Sequence, residues 1–232
     1  MQPLLYSDQK EIEIVYEDDY CLIVNKPNNL LVHHSHFSRN VEEESLVELL
    51  KKRGFIHPIP VHRLDRKTSG VLLLAKSKEY VKPFQELFDE NLIDKKYVAL
   101  LRGFVFGGGK IDSPVKNERG NYKEALTFYR NIKHRFFDIP VKPYSSSRYS
   151  YVLLSPFSGR MHQLRIHANK ISHPIIGDHK YGNRHHNKMY EEKLNIPHLF
   201  LHAYKLNFIH PITNKRILVK ASFPLFWNKI SK

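Results

Sequence analysis

The sequence predicts an α+β fold in which a mixed, mainly antiparallel sheet is flanked by helices. Three observations carry that expectation. Short β-type runs alternate with hairpin-type turns, two stretches have helical apolar spacing and lie between strands, and Val71–Ala75 is a continuous apolar run of the kind a strand buried on both faces shows. Ile12–Tyr16 and Cys21–Asn25 flank Glu17-Asp18-Asp19-Tyr20 as a hairpin, and Lys26-Pro27-Asn28-Asn29 stops the second strand. Ser45–Arg53, with Leu46, Leu49 and Leu50 on one side and Gly54 after it, reads as a short amphipathic helix. A loop with Pro58 and Pro60 then leads through His62-Arg63-Leu64-Asp65 and the turn Thr68-Ser69-Gly70 into the apolar strand.

A second helix is expected over Lys78–Asn91, burying Phe84, Leu87 and Phe88, with Pro83 near enough to its start to be tolerated. Tyr97–Leu101 is a strand closed by Gly103, Gly107-Gly108-Gly109 a turn, and Ala125–Asn131 and Tyr151–Leu154 are strands on either side of an irregular Pro- and Ser-rich stretch over Pro140–Ser150. Gly159–Ile171 reads as a helix opened by Ser158 or Gly159. Leu199–Ile209 and Ile217–Ala221 close a hairpin around Thr213-Asn214-Lys215-Arg216, and Pro224–Ile230 gives a last helical turn or two. No internal repeat, low-complexity tract or interdomain linker interrupts this order.

Composition narrows the function. The 232 residues carry 37 Lys and Arg against 23 Asp and Glu, a formal charge of +14, and the excess is uneven: residues 1–60 hold 6 basic and 10 acidic side chains, residues 61–232 hold 31 and 13. A basic surface of that size suits a polyanion, because each phosphate neutralised releases condensed counterions. Aromatics interleave the charges, as in Tyr129-Arg130, Lys133-His134-Arg135-Phe136-Phe137 and His179-Lys180-Tyr181, which suits RNA contacts that combine stacking with phosphate binding. The single cysteine, Cys21, cannot make an internal disulfide, and no apolar run approaches the ~20 residues of a membrane span. With no signal-peptide pattern at the start, a soluble cytoplasmic protein is expected.

Two constellations could carry chemistry. In His62-Arg63-Leu64-Asp65-Arg66-Lys67-Thr68-Ser69-Gly70, Asp65 is the only carboxylate, and its charge is stabilised where any neighbouring cation folds over it. It suits a nucleophile or base, and it equally suits a turn cap bonded to the amide of Lys67 or Thr68. A kinase catalytic loop is excluded by the order of its letters and by the absence of an Asp-Phe-Gly or nucleotide loop. In Ser158-Gly159-Arg160-Met161-His162-Gln163-Leu164-Arg165-Ile166-His167, a helix would put Met161, Leu164 and His167 on one side and Arg165 on another, where it could bind phosphate, hold a carboxylate or simply face water. His33, His34, His36, His162, His167, His185 and His186 lack the spacing and the acidic or thiol partners of a metal site, so no metal is expected.

At these residues the chain resembles the RluA family of pseudouridine synthases. His62–Gly70 is similar to the family's His-Arg-Leu-Asp-x-x-Thr-Ser-Gly motif in every specified position, with Val71–Lys76 as its apolar strand. Lys96-Tyr97-Val98-Ala99 with Gly103, Ser158–Arg165, His173–Asp178 with Tyr181-Gly182, and Leu201-His202-Ala203 resemble further family segments in the same order. The resemblance implies isomerisation of uridine to pseudouridine in RNA without a cofactor, on a sheet with a central RNA-binding cleft. It implies Asp65 as the catalytic carboxylate, Tyr97 as the ring over the base and acceptor of the C5 proton, and Arg165 as the partner of Asp65. Arg63 matches the residue that enters the RNA helix where the flipped nucleotide was. His62, Arg160, His162 and His202 are expected among the RNA- and substrate-binding residues, with Leu164 and Leu201 as dry walls. Asp65 could attack the base, attack the sugar or remove a sugar proton. Asn29 stands where the family usually has Gly, a departure that a left-handed Asn can absorb.

Several rRNA-acting members carry a small basic domain ahead of the first hairpin, and only about a dozen acidic-leaning residues precede Ile12 here. One catalytic domain over residues 1–232, without a separate N-terminal RNA-binding domain, is therefore expected. The details are most similar to short members that act on the uridine at the foot of the tRNA T stem, although Ile166 replaces a second Arg of that group. An rRNA loop or a tRNA anticodon arm is the alternative substrate, and a non-catalytic RNA-binding protein on the same fold is the alternative of another class. Neither DNA nor a membrane is expected as a partner, and with no coiled coil in the sequence a monomer is expected.

Overall fold

The computed structural model describes residues 12–34, 43–117 and 119–230; His36 and the segment before Ile12 lie outside them. The chain begins with the antiparallel pair β1 (Glu13–Glu17) and β2 (Cys21–Lys26), turned by Asp18, whose Oδ1 accepts the amides of Tyr20 and Cys21, both at 2.8 Å. Helix α1 (Leu46–Lys52) opens with a capping box: the Glu48 amide donates to Ser45 Oγ while the Ser45 amide donates to Glu48 Oε2. Two-residue β3 (Ile59–Pro60) leads to the 61–68 loop and then to β4 (Ser69–Ala75), buried at every position as its continuous apolar pattern requires. Helix α2 (Lys78–Asp89) follows, then β5 (Asp94–Arg102), and Phe84 and Leu87 of α2 are buried.

The second half contains β6 (Gly108–Asp112), the small β7 (Val115–Lys116) and β8 (Tyr122–Lys123) hairpin, long β9 (Leu126–Phe137) and β10 (Ser147–Pro156), α3 (Gln163–Lys170), α4 (Arg184–Leu194), β11 (Leu201–Ile209), β12 (Arg216–Lys220) and a 3-10 turn over Leu225–Ile230. The main sheet runs β1-β2-β4-β11-β5-β10-β9-β6, with β12 on β11 and β3 on β4. Every pairing is antiparallel except β4 with β11. The α+β class with a mainly antiparallel sheet is thus what the chain adopts. No helix among the described residues is long and apolar enough to cross a membrane.

The sheet forks where β4 meets β11. The two strands touch only at Ser69↔His202 and Gly70↔Ala203; further along, the same edge of β4 is taken by β3, and β11 is taken by β12. The loop carrying Asp65 fills the wedge. Where no strand reaches β4, the Leu73 amide donates to His62 Nε2 at 2.9 Å, so an imidazole replaces the missing ladder partner. At the crossing, His202 is fully buried with Nδ1 2.9 Å from Ser69 Oγ and Nε2 3.4 Å from the Ala221 carbonyl. Gly70, at φ +111°, lies so close to β11 that a Cβ would strike the backbone of Ala203.

The structure corrects several boundaries. The glycine run is a turn only at Gly107 (φ +64°); Gly108 and Gly109 begin β6, because an extended backbone without side chains can lie directly against Tyr129 of β9. Strand β9 runs past Asn131 to Phe137, and β10 starts at Ser147, inside the stretch read as irregular, since each supplies the other's ladder bonds as far as Ser147↔Phe137. Helix α3 starts at Gln163, not Gly159: His162 sits in the left-handed region at φ 55°, so Arg160 and Met161 belong to a loop. Helix α4 escapes the sequence reading because its buried face mixes His186 and Asn187 with Met189 and Tyr190, and polar residues hide the apolar period; Asn183 caps it.

Gly70→Ala is expected to lower stability by about 2–3 kcal/mol or more, combining backbone strain with the clash against Ala203. Gly54→Ala is the control: it has positive φ with open space around it, so strain alone should cost about 1–2 kcal/mol. Urea unfolding of both variants checks this, and equal losses would refute the role given to the crossing.

Candidate active site

The fork opens into a cleft of about 550 Å³, lined by Arg63, Leu64, Asp65 and Thr68 from the loop before β4, by Tyr97 of β5, Leu201 of β11 and Pro156 of β10, and by residues 158–165. Asp65 gains its place from a tight turn: its carbonyl accepts the Thr68 amide at 3.0 Å. Its carboxylate makes no such cap. Oδ2 instead accepts from Arg165 Nη1 at 2.9 Å, which joins the two constellations of the sequence across the cleft. The flanking cations are used elsewhere or differently: Arg66 Nη2 pairs with Glu43 at 2.7 Å, and Arg63 is exposed at the cleft wall.

Arg165 is itself held from behind. Its Nε and Nη2 donate to the two oxygens of Asp178 at 2.7 and 2.8 Å, a bidentate pair that leaves Nη1 for Asp65. Asp178 is 1% exposed, and its Oδ1 also accepts the amides of Lys180 and Tyr181. Burial by itself would raise the Asp178 carboxyl, yet the Arg165 bonds and the two amides hold it below the ordinary carboxylate range. Burial likewise works against the Arg165 cation, and its bonds to Asp178 and Asp65 more than offset that. The Tyr181 ring covers the guanidinium at 5.2 Å from Cζ, and its hydroxyl meets His162 Nδ1 at 3.0 Å.

His162 Nε2 stands 3.7 Å from Asp65 Oδ2, too far for a hydrogen bond, and burial keeps the imidazole below its usual pKa despite that carboxylate. Tyr97 is half-buried; burial first and the Asp65 charge second push its phenol up, so it stays protonated. Leu164 and Leu201 are 7% and 3% exposed and form apolar walls. Arg160 borders the cleft with its Nε donating to the Glu124 carbonyl at 3.1 Å. Gln163 sets that loop: Oε1 accepts from Ser158 Oγ and the Arg160 amide, while Nε2 donates to Leu126 O and Thr127 Oγ1.

Two expected binding residues are not brought to the cleft. His62 accepts the Leu73 amide and stacks on Phe88 at 4.3 Å, and burial together with the nearby Lys95 charge pushes its pKa down to about 3. His202 lies within the strand crossing and is held neutral by burial, its pKa down to about 4. Both rings are spent on backbone and core bonds, and neither lines the cleft.

Residues whose roles the motifs did not reveal support the site. Fully buried Lys26 donates to the carbonyls of Pro27, Leu30 and Arg66 at 2.8, 2.9 and 3.0 Å, tying the loop that carries Asp65 to the turn after β2. Burial pushes its pKa down to about 7, the Asp65 charge opposes that, and three carbonyl acceptors match the three hydrogens of an ammonium. Asn29 in that turn is left-handed at φ 60°, as expected of the residue replacing Gly. The signals for Lys26 and Asp178 were their places in the Lys-Pro and Gly-Asp segments; only the fold shows what each one grips.

One trio among the described residues could suggest a metal: ligand atoms of Asp18, Cys21 and His210 lie within 4.8 Å of one another. His210 Nδ1 accepts the amides of Ile212 and Thr213, so its proton is on Nε2 and faces Asp18 Oδ2 at 3.2 Å. Burial also pushes the Cys21 thiol up, so neither side chain offers a ready lone pair, and the trio is better explained as an internal hydrogen-bond network.

Residues 19–170 match the family model described as RNA pseudouridylate synthase. The chain belongs to that family. It is therefore an isomerase of the pseudouridine synthase class, as the RluA-type motifs implied. It is 37% identical over 230 residues to a tRNA pseudouridine synthase C of Haemophilus ducreyi, covering 95% of this chain and 94% of that protein. It is 38% identical over 227 residues to one of Pasteurella multocida, covering 93% of each. Among solved structures, the pseudouridine synthase fold is shared with human RNA Pseudouridylate Synthase Domain Containing 1, at a TM-score of 0.73 and 26% identity over 97% of this chain and 87% of that one.

Asp178→Asn is expected to reduce stability at neutral pH by about 3–5 kcal/mol, because it leaves the buried Arg165 cation half-paired. The carboxyl is depressed in the folded state, so its contribution is present above the unfolded value of about 4 and is lost as pH falls through the lower folded value. Urea unfolding at about pH 7 and about pH 3 should show the gap between wild type and variant closing on acidification. A gap that persists would contradict the assignment.

Proposed function

We propose that this chain is a tRNA pseudouridine synthase acting on the uridine at the foot of the T stem, with Asp65 as its catalytic carboxylate. The observation that carries the reading is the Arg165 guanidinium, fixed by Asp178 and presenting one nitrogen to Asp65 in a cleft with apolar walls. The curated relatives' name supplies the substrate class. A uridine paired in a stem cannot reach Asp65 unless it leaves the stack, which costs a few kcal/mol and favours a basic, aromatic-lined site. Arg63 and Arg160 at the rim suit the RNA backbone or the gap the base leaves, and His162 suits a contact to the extruded nucleotide.

Within the cleft, Leu164 and Leu201 exclude water while the glycosidic bond is open, so that the detached uracil rejoins the ribose through C5 instead of being lost to hydrolysis. Tyr97 packs the base. Because its phenol is protonated, it can take the C5 proton only by passing its own hydroxyl proton on, and Asp65 is the one carboxylate lining the cleft among the described residues. No group beyond side chains is required by this sequence of bond breaking, rotation and rejoining. We extend the same reading to recognition of RNA by the single domain that carries the cleft, and to a monomer working in the cytoplasm; the buried lone thiol suits a reducing compartment.

Carbodiimide mapping by primer extension on unmodified tRNA and rRNA transcripts tests this. Wild type should give a stop in the T stem, and Asp65→Ala should give none while keeping RNA affinity within about threefold, since its neighbours still supply the phosphate contacts. A stop in an rRNA loop or the anticodon arm would move the substrate; retained modification by Asp65→Ala would remove Asp65 from the chemistry; binding by wild type without any stop would favour a non-catalytic protein. Affinity should also fall at least about tenfold between roughly 50 and 200 mM salt, and a flat profile would contradict the basic surface.

A further inference from the structure

His162 lines the cleft from the residue before α3, and its backbone is left-handed at φ 55°, a conformation that a non-glycine residue adopts under strain. Its ring stands between two groups. Nδ1 is 3.0 Å from the Tyr181 hydroxyl, which makes no other hydrogen bond among the described residues, and Nε2 is 3.7 Å from Asp65 Oδ2. Tyr181 does not line the cleft; its ring lies against the Arg165 guanidinium at 5.2 Å from Cζ and against the Lys180 ammonium at 5.4 Å.

These neighbours decide the tautomer. A neutral imidazole carries one ring proton; a lone pair on Nε2 would face the Asp65 carboxylate, whereas a proton there is attracted to it. Nδ1 is then the acceptor and the Tyr181 hydroxyl the donor. Burial keeps the ring neutral against the pull of Asp65, and the Arg165 and Lys180 charges act in the same direction as burial. The Nε2–H therefore opens on the cleft, too far from Asp65 to bond it and with no other acceptor among the described residues. An N–H left open between apolar walls calls for an acceptor on the substrate.

We propose that Tyr181 is a positioning residue for the reaction: its hydroxyl fixes His162 in the Nε2–H tautomer, and that N–H donates to a carbonyl oxygen of the target uracil. The chemistry supplies the need. Whichever atom Asp65 attacks, the N1–C1′ bond breaks with its electron pair on the base, and negative charge spreads over N1 and the two carbonyl oxygens until C5 joins C1′. Loss of the C5 proton and gain of one at N1 then restore a neutral ring. A donor already aimed at an oxygen that gains charge stabilises that stage more than the bound uridine, so it raises rate more than affinity. Arg165 is committed elsewhere, since each of its nitrogens donates to Asp178 or Asp65.

The inference rests on the pseudouridine synthase reading of the cleft, and one of its tests needs no turnover. In isotope-labelled protein without RNA, long-range proton–nitrogen correlation spectra should show His162 as the Nε2–H tautomer, its signals assigned by their loss in His162→Gln. Tyr181→Phe should turn them into those of a tautomer mixture. That variant keeps the ring on Arg165 and removes only the hydroxyl. With an unmodified tRNA transcript it should lower the single-turnover rate at saturating enzyme about tenfold and leave affinity within about twofold. His162→Asn tolerates the left-handed backbone, but its amide is too short to place a donor at Nε2, so the rate should fall about a hundredfold. His162→Gln sets an amide N–H near that place and should recover about tenfold of the loss. Adding Tyr181→Phe to His162→Asn should change the rate by less than about twofold, because a tyrosine that acts through His162 then has nothing left to aim.

A further loss of about tenfold in that double variant would overturn the proposal, and so would an Nδ1–H tautomer in wild type. Weakened affinity with the saturated rate unchanged would put the donor on the RNA backbone and overturn the uracil contact. A wild type that binds tRNA without modifying it would sink the reading of the cleft and the uracil contact with it, a failure told apart from the others by the missing wild-type activity.

Discussion

The site depends on one guanidinium shared between two carboxylates. Arg165 is buried, and a buried cation is tolerated only where its charge and its hydrogen-bond donors are both answered. Asp178 answers two donors with fixed bidentate geometry and is itself fixed by two backbone amides. The remaining Nη1 therefore has a direction, and Asp65 lies along it at 2.9 Å. A lysine could balance the charge but could not hold both partners in one plane, so the planar fork of arginine is what turns electrostatics into aim. The arrangement keeps Asp65 next to a cation without surrounding it by amides, which leaves the carboxylate open to the cleft.

That aim is useful only if the loop bearing Asp65 is equally fixed, and the fork in the sheet does this. Strands β4 and β11 approach closely enough at Gly70 and Ala203 to exclude any side chain, then separate. Separation leaves polar groups without ladder partners, and the chain satisfies them with side chains: His62 for the Leu73 amide, His202 for the Ser69 hydroxyl and the Ala221 carbonyl, Lys26 for three carbonyls including that of Arg66. The cost of opening a cleft in a sheet is thus met by buried polar groups at its edges.

How much of this the sequence disclosed follows from what each signal measures. Apolar period located β2, β4, α1 and α2 because Cys21–Val24, Val71–Ala75 and the buried residues of both helices are apolar. It failed for α4, whose buried face includes His186 and Asn187, and it shortened β9 and β10, which are stabilised by each other more than by their own alternation. The motifs that name Asp65, Tyr97 and Arg165 converge on one cleft, since the spacing of a motif preserves a site even where local structure is misread: α3 begins four residues beyond the expected cap at Gly159, beside which Ser158 was the other, and Arg165 still faces Asp65. The histidines were the weakest point. An imidazole can contact RNA, bind metal or replace a backbone partner, and only three-dimensional context separates these uses.

The same ambiguity resolves in one direction for four of the histidines. His62, half-buried, and His167, His202 and His210, buried, each use at least one ring nitrogen to serve backbone or hydroxyl groups, and burial holds each below its usual pKa. They are neutral donors and acceptors of the interior and add nothing to the charge that attracts RNA. The attraction falls to Lys and Arg, which are dispersed over the surface after residue 60 instead of gathered at the cleft. The fold therefore separates two tasks: fixed charges over a wide surface bring the polyanion in, and a small number of buried, fully answered polar groups decide where one base is placed.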